Sequence, residues 1–352
     1  MHDFRLKTRL RHQRLGISLL EVIISIGVAS VGLLGVLALI PLGGAQARQG
    51  QIYESAARIG VSAIGEVRAR DMLNPNNISG MAGLGAQSRE AFCIDPLYVA
   101  AGGSSIFPIN APLPMPRVTL NNGSGSPMNQ ALAASIFRSH DDLSLSLDSS
   151  DRTLPPSQVW SRDGGVATRR QSEGTMSWML TVHPNLAHNS SYDLWTVSVV
   201  VFNRRIIDAN IRGEFTANVT SLPGGGISGG DIEIAFDTAT YSTDDINEAK
   251  TPENSWVLLT ARRRIIVGYD MNGEPIYGYI HVSQWYRVLA SDNTGTTEPA
   301  AANRVLTLSG PDWPVDPVNI LDVQATIIPS TVAVFQENMR LEIGKGTSLW
   351  RN

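Results

Sequence analysis

The chain has 352 residues, 43% of them hydrophobic and 17% charged, with 32 glycines and 19 prolines. That is ample material for a buried core, and it excludes a collagen-like or wholly disordered polypeptide. A single cysteine, Cys93, excludes an internal disulfide framework and any multi-thiolate metal site, and a formal net charge of −4 argues against nucleic-acid binding through bulk charge.

That average hides an asymmetry. Residues 1–16 hold Arg5, Lys7, Arg9, Arg11 and Arg14 against Asp3, a net of +4, which leaves −8 for residues 17–352. A basic tip on an acidic body points to targeting. Behind it, Ile17 to Leu42 is the most apolar stretch of the chain, 26 residues interrupted by one charge, Glu21, and three serines. As a helix it reaches about 39 Å, enough to cross a hydrocarbon core of about 30 Å with some tilt. The basic flank holds residues 1–16 on the cytoplasmic side and places residues 43–352 outside.

Three readings compete for this segment. Ala45-Gln46-Ala47 is a passable site for a conventional signal peptidase, although the apolar run is longer than the usual ~7–15 residues. A plain uncleaved anchor leaves Glu21 as an accident, at a cost in lipid on the order of 2–3 kcal/mol. The third reading accounts for the acid. Leu15-Gly16-Ile17-Ser18-Leu19-Leu20-Glu21-Val22 resembles the processing site of type IV prepilins and the pseudopilins of type II secretion. In that family a basic leader ends in glycine, cleavage follows the glycine, and glutamate is the fifth mature residue. The resemblance implies cleavage after Gly16, amino-terminal methylation at Ile17, and an assembly role for Glu21, whose carboxylate would meet the amine of a neighbouring subunit. Ile17 and Ser18 stand where phenylalanine and threonine are usual. The similarity covers only about residues 10–70.

After the apolar run, Pro41, Gly43 and Gly44 predict a helix break, with Pro41 removing a backbone donor. An amphipathic pattern resumes at Ile52, Ala56, Ile59, Ala63 and Val67 and ends before Asn74-Pro75. The expected organisation is a leader over 1–16, a membrane-embedded helix half over 17–42, and an amphipathic half over 43–73. A Pro/Gly-rich, loop-dominated region follows over 74–175, with short apolar pieces such as AFCIDPLYVA and QALAASIF. Residues 176–352 read as a β-rich body, with strands at 176–182, 194–202, 231–236, 255–262, 264–269, 276–290 and 303–308 and a last pair within 321–335. Asp270-Met271-Asn272-Gly273 reads as a hairpin turn. The expected fold is α+β, a long amino-terminal helix packed on a mainly antiparallel sheet.

No catalytic constellation emerges. Gly226-Ile227-Ser228-Gly229-Gly230 spells G-x-S-x-G, but a strand-like DIEIAF follows where a nucleophile elbow needs a helix. His183 and His188 lack the further ligands of a metal site, and Asp141, Asp142, Asp148 and Asp151 lack the calcium-loop ladder. Arg262-Arg263-Arg264 and Arg204-Arg205 read as edge-strand charges, and Trp256, Trp285 and Tyr286 as packing residues. No enzyme, cofactor, metal or nucleic-acid partner is expected.

The resemblance implies a pilin-like structural subunit, minor or specialised given its large body, of a type IV pilus or a type II secretion pseudopilus. Its partners would be the prepilin peptidase/N-methyltransferase, other pilin or pseudopilin subunits, an inner-membrane assembly platform and membrane lipid. It would be a single-pass protein of the inner membrane with its body outside the cytoplasm, incorporated into a filament after assembly. The alternative is a membrane-anchored extracytoplasmic binding protein or enzyme that never assembles.

Overall fold

A computed structural model describes residues 18–79, 91–109, 111–122, 125–139, 175–184, 194–207, 213–222, 228–292, 302–313 and 320–340. In chain order the elements are α1 (Leu19–Ala69), β1 (Ile78–Ser79), β2 (Phe92–Ile94), α2 (Pro96–Ala100), β3 (Ile106–Phe107), β4 (Met115–Asn122), β5 (Ser126–Pro127), α3 (Gln130–Phe137), β6 (Met176–Pro184), β7 (Leu194–Asn203), β8 (Phe215–Ser221), β9 (Gly229–Phe236), α4 (Thr243–Glu248), β10 (Trp256–Tyr269), β11 (Pro275–Ser291), β12 (Asn303–Ser309), β13 (Ile320–Ile327) and β14 (Thr331–Arg340). The chain divides into two units, residues 1–51 and residues 52–352.

In the first unit, the described residues form the first part of α1. The break expected at Pro41 does not occur, because the helix continues through Pro41, Gly43 and Gly44. A mid-helix proline removes one N–H donor and crowds the preceding turn, which bends a helix more readily than it ends one. The leader, Gly16 and Ile17 lie outside the described residues.

In the second unit, Ala56, Ile59, Ala63 and Val67 of α1 are buried in one stripe, as their spacing predicts. They pack with Trp178, Leu180 and Val182 of β6 and Trp195, Val197, Val199 and Val201 of β7. Gly60 lies in the same stripe, where a Cβ would stand 2.1 Å from the ring of Phe335 on β14. Small residues at 56, 60 and 63 thus let the helix backbone approach the sheet closely. The helix ends in a Schellman arrangement: Asp71 adopts φ +48°, the Met72 N–H donates to the Val67 carbonyl at 3.0 Å, and the Asp71 N–H donates to the Arg68 carbonyl at 3.2 Å.

The sheet runs β1-β4-β2-β6-β7-β14, with β3 and β5 also paired to β4. It is mixed, because β2 and β4 pair in parallel. The expected strands from 176 onward are present, with two refinements. The segments on either side of Arg263 form one long strand, β10, and FTANVTS adds β8. The larger difference is that six of these strands leave the sheet. β10-β11-β12-β9-β8-β13 close into a separate antiparallel barrel, which removes free edges within its closed part.

Region 74–175 contributes β1 to β5, α2 and α3 among its described residues. Asp95 caps α2, accepting from the Tyr98 N–H at 3.4 Å, and Asn129 caps α3, accepting from the Leu132 N–H at 2.9 Å. Barrel and sheet share a core in which Cys93, Met179, Phe202 and Val334 meet Leu258, Trp285 and Ile328. Polar bonds cross the same boundary: Trp285 Nε1 donates to Thr181 Oγ1 at 2.9 Å, and Gln284 Nε2 donates to Gln336 Oε1 at 3.0 Å. The second unit is therefore layered as helix, sheet and barrel.

Candidate functional site: an apolar helix with one acid

The first unit carries a surface unlike anything in the second. From Leu19 to Ile40 the large apolar side chains that are described are exposed on every side of the helix, Leu19 at 79% and Val31 at 72%. Among the described residues this is one helix long and apolar enough to cross a membrane, and its most apolar window has no buried residue. Its serines make no demand on a surrounding solvent. Ser25 Oγ donates to the Glu21 carbonyl and Ser30 Oγ to the Ile26 carbonyl, both at 2.7 Å. Ser18 caps the helix, its Oγ accepting from the Glu21 N–H at 3.2 Å.

Glu21 lies in the first turn of α1, where the free N–H groups favour an acid. Its side chain is exposed, and no ion pair reaches it among the described residues. The arrangement offers no general base or nucleophile partner. What it can do is present a carboxylate inside an apolar surface.

The second unit holds a charged cluster that sequence reading missed. Asp95 at the end of β2, Arg117 on β4, Arg205 just after β7 and Glu214 just before β8 are all buried. Arg205 grips Asp95 through two bonds, Nη1 to Oδ1 at 3.0 Å and Nη2 to Oδ2 at 2.5 Å. Arg117 reaches Glu214 at 2.5 Å and lies 3.7 Å from Asp95. Glu214 also accepts from the Ile109 N–H at 3.2 Å. The guanidinium of Arg117 stacks 4.1 Å from the Tyr98 ring centroid, and that of Arg205 lies 4.5 Å from Phe202. Burial alone would raise the Asp95 pKa, but the Arg205 and Arg117 charges outweigh it and hold the carboxyl below its ordinary range. Two acids and two bases balance, and each is anchored to a different part of the chain. The cluster clasps the connection from sheet to barrel. Its signal in the sequence was a lone Asp95 inside the apolar run AFCIDPLYVA.

The other candidates are scattered. His183 is buried in β6, with Nδ1 3.3 Å from the Pro184 carbonyl; burial lowers its pKa to about 4. His188, Gly226, Ile227 and Asp141, Asp142, Asp148 and Asp151 lie outside the described residues. Ser228 has φ +52° and donates its N–H to Asp312 Oδ1 at 2.7 Å, and Gly229 enters β9 directly, so no helix follows. Cys93 is buried against Met179, and burial pushes its thiol up. Among the described residues no three His, Cys, Asp or Glu side chains are grouped to hold a metal ion. Comparison with models of protein families, with curated proteins and with solved structures finds no match.

Proposed function

We propose that the chain is a pilin-like structural subunit, minor or specialised, of a type IV pilus or type II secretion pseudopilus. In this reading it enters the inner membrane as a single-pass precursor with residues 43–352 outside the cytoplasm. Prepilin peptidase cleaves after Gly16 and methylates Ile17, and the mature helix joins other subunits on an inner-membrane assembly platform. The observation that supports this most directly is the composition of one continuous helix. Its first half exposes apolar side chains all round, and its second half buries a single stripe on a sheet. A soluble protein rarely exposes so large an apolar surface. Lipid or neighbouring helices of the same kind would cover it, and Glu21 would find its partner in the freed amine at Ile17 of the next subunit.

The test is the mass of the amino-terminal fragment of the full chain purified from membranes. A chain beginning at Ile17 supports the proposal, with methylation adding its own increment. A start at Arg48 means a conventional signal peptide, and a start at Met1 means an uncleaved anchor. Replacing Gly16 by valine leaves precursor-length protein in the membrane; normal processing of that variant would overturn the cleavage assignment.

A further inference from the structure

In the second unit a cleft of about 230 Å³ lies alongside the buried stripe of α1. One wall is a row spaced four residues apart, Arg58, Ser62, Glu66 and Arg70, which a helix sets on a single face. The other is the end of α3 with the residues just after it, carrying Ser135 and Arg138. Arg138 projects from a fixed point. Its backbone is bridged to Ser177, and the next N–H, of Ser139, donates to the Met176 carbonyl at 3.0 Å.

The charged part of the lining is three arginines against one glutamate, and they are engaged to different degrees. Arg70 holds Glu66 four residues away, so these two charges neutralise each other. Arg58 lies 3.9 Å from Glu54, with side chains 62% and 75% exposed, a contact that solvent screens to about 0–1 kcal/mol. Arg138 has no acidic partner among the described residues. Nor does the end of α3 call on its guanidinium, because other donors already meet the carbonyls there. Ser135 Oγ donates to Leu132 at 2.8 Å, the Arg138 N–H to Ala134 at 3.3 Å, and Trp178 Nε1 to Ile136 at 3.2 Å. Ser62 adds a hydroxyl with no hydrogen-bond partner among the described residues.

The cleft therefore offers two guanidinium groups, one from each wall, and a free hydroxyl, with no acid left to oppose them. A carboxylate has its two oxygens in one plane, and a single guanidinium fork fills both. Two forks on separate elements, with a hydroxyl donor beside them, match an oxyanion whose oxygens point out of one plane. The volume is several times the share of about 30 Å³ that one water takes, which leaves room for a phosphate and the first atoms of an ester. We infer that this cleft binds a phosphoryl group, free or carried on a small ester or a lipid headgroup. The inference does not rest on the pilin-like reading, since every residue it uses lies in the second unit.

Calorimetric titration of the detergent-solubilised full chain tests it. The phosphoryl probes are inorganic phosphate, glycerol 3-phosphate and dihexanoyl phosphatidic acid, and acetate is the planar anion. The expected result is saturable one-to-one binding of the phosphoryl probes and none of acetate. Tighter binding of the lipid probe than of glycerol 3-phosphate assigns a headgroup as the source, and equal or weaker binding assigns a soluble ester; both support the inference. Arg138→Gln should weaken phosphate binding about tenfold, as should Arg58→Gln, while Arg138→Lys retains part of it and none of the three changes the melting temperature. Glu66→Gln should tighten binding, because it releases Arg70 from its pair. Absence of saturable binding, acetate bound as tightly as phosphate, affinity indifferent to Arg138→Gln and Arg58→Gln, or weaker binding in Glu66→Gln would each overturn the assignment.

Discussion

Glu21 and Asp95 are both carboxylates set among apolar side chains, and the chain treats them in opposite ways. Asp95 is fully buried and receives two bonds from Arg205, a second cation in Arg117, and the N–H of Tyr98. Glu21 sits among leucines, isoleucines and valines with no cation near it among the described residues. An ionised group taken out of water needs its charge met nearby, or the desolvation cost stands uncompensated. Where the fold needs a buried acid, it brings the partners in from distant places in the sequence, Arg117 on β4 and Arg205 after β7. Where no partner is built, either water stays or another molecule supplies one. His183 takes a third course, since it is buried without an opposite charge and stays neutral.

The contrast breaks most severely if a partner of Asp95 is removed. Arg205→Met leaves the carboxylate buried with only the more distant Arg117, and should cost about 3–5 kcal/mol of unfolding free energy, read by denaturant titration. The double variant with Asp95→Leu should lose less than the sum of the singles, because Arg117 and Glu214 remain as a balanced pair. Additive losses would mean that the cluster does not act as a unit.

Protonation separates the paired group from the neutral one. The folded pKa of His183 is depressed to about 4 from 6.5. Between those values the unfolded chain binds the proton and the folded chain does not, so stability should fall as pH drops through that window. The loss is on the order of 2–3 kcal/mol and should vanish in His183→Gln. Asp95 acts lower. Its folded pKa lies below the unfolded one, so its contribution is complete above about pH 4 and disappears as pH falls through the folded value. A pH series of melting temperatures on wild type, His183→Gln and Asp95→Asn checks both windows.

The amphipathic stripe and almost every strand after 176 were legible because each pattern is local. The spacings 56, 59, 63, 67 and the β-branched apolar run VSVVVF need no knowledge of partners. Closure of the barrel was not legible, because a strand's pattern shows that one face is buried without showing which neighbour buries it. The clasp was hidden for a related reason. Asp95, Arg117, Arg205 and Glu214 span 120 positions, and only the β2–β4 pairing and the turn out of β7 bring them together. Region 74–175 read as loop because its prolines and glycines mask β4, whose inward residues Val118 and Leu120 join the core. The helix continuing through Pro41 shows that one breaker residue is a weak guide inside a long apolar run.

Exposure should reduce the value of a pair where burial raises it. Arg68 and Glu337 link α1 to β14, with side chains 55% and 33% exposed. Solvent screening limits such a pair to about 0–1 kcal/mol, so Arg68→Met should shift the denaturation midpoint only slightly, and less still in high salt. A loss as large as that from Arg205→Met would mean that burial is not what separates the two pairs.

The smallest effect on folding should come from Glu21→Gln, and it is the most informative about function. Glutamine keeps the length and polarity of the side chain and removes only its charge. Glu21 belongs to the first unit, so the melting temperature of residues 52–352 should not move. Membrane insertion should also persist, because the apolar run is otherwise unchanged and a neutral amide costs less in hydrocarbon than a carboxylate. If the charge exists to meet the freed amine of a neighbouring subunit, the variant should be cleaved and inserted normally yet fail to enter the assembly. Fractionation of sheared filaments from membranes reads this directly. Wild-type incorporation would leave the carboxylate without an assembly role and would favour the reading in which α1 is only an anchor. Failure of insertion itself would place the role of Glu21 one step earlier, in the handling of the precursor.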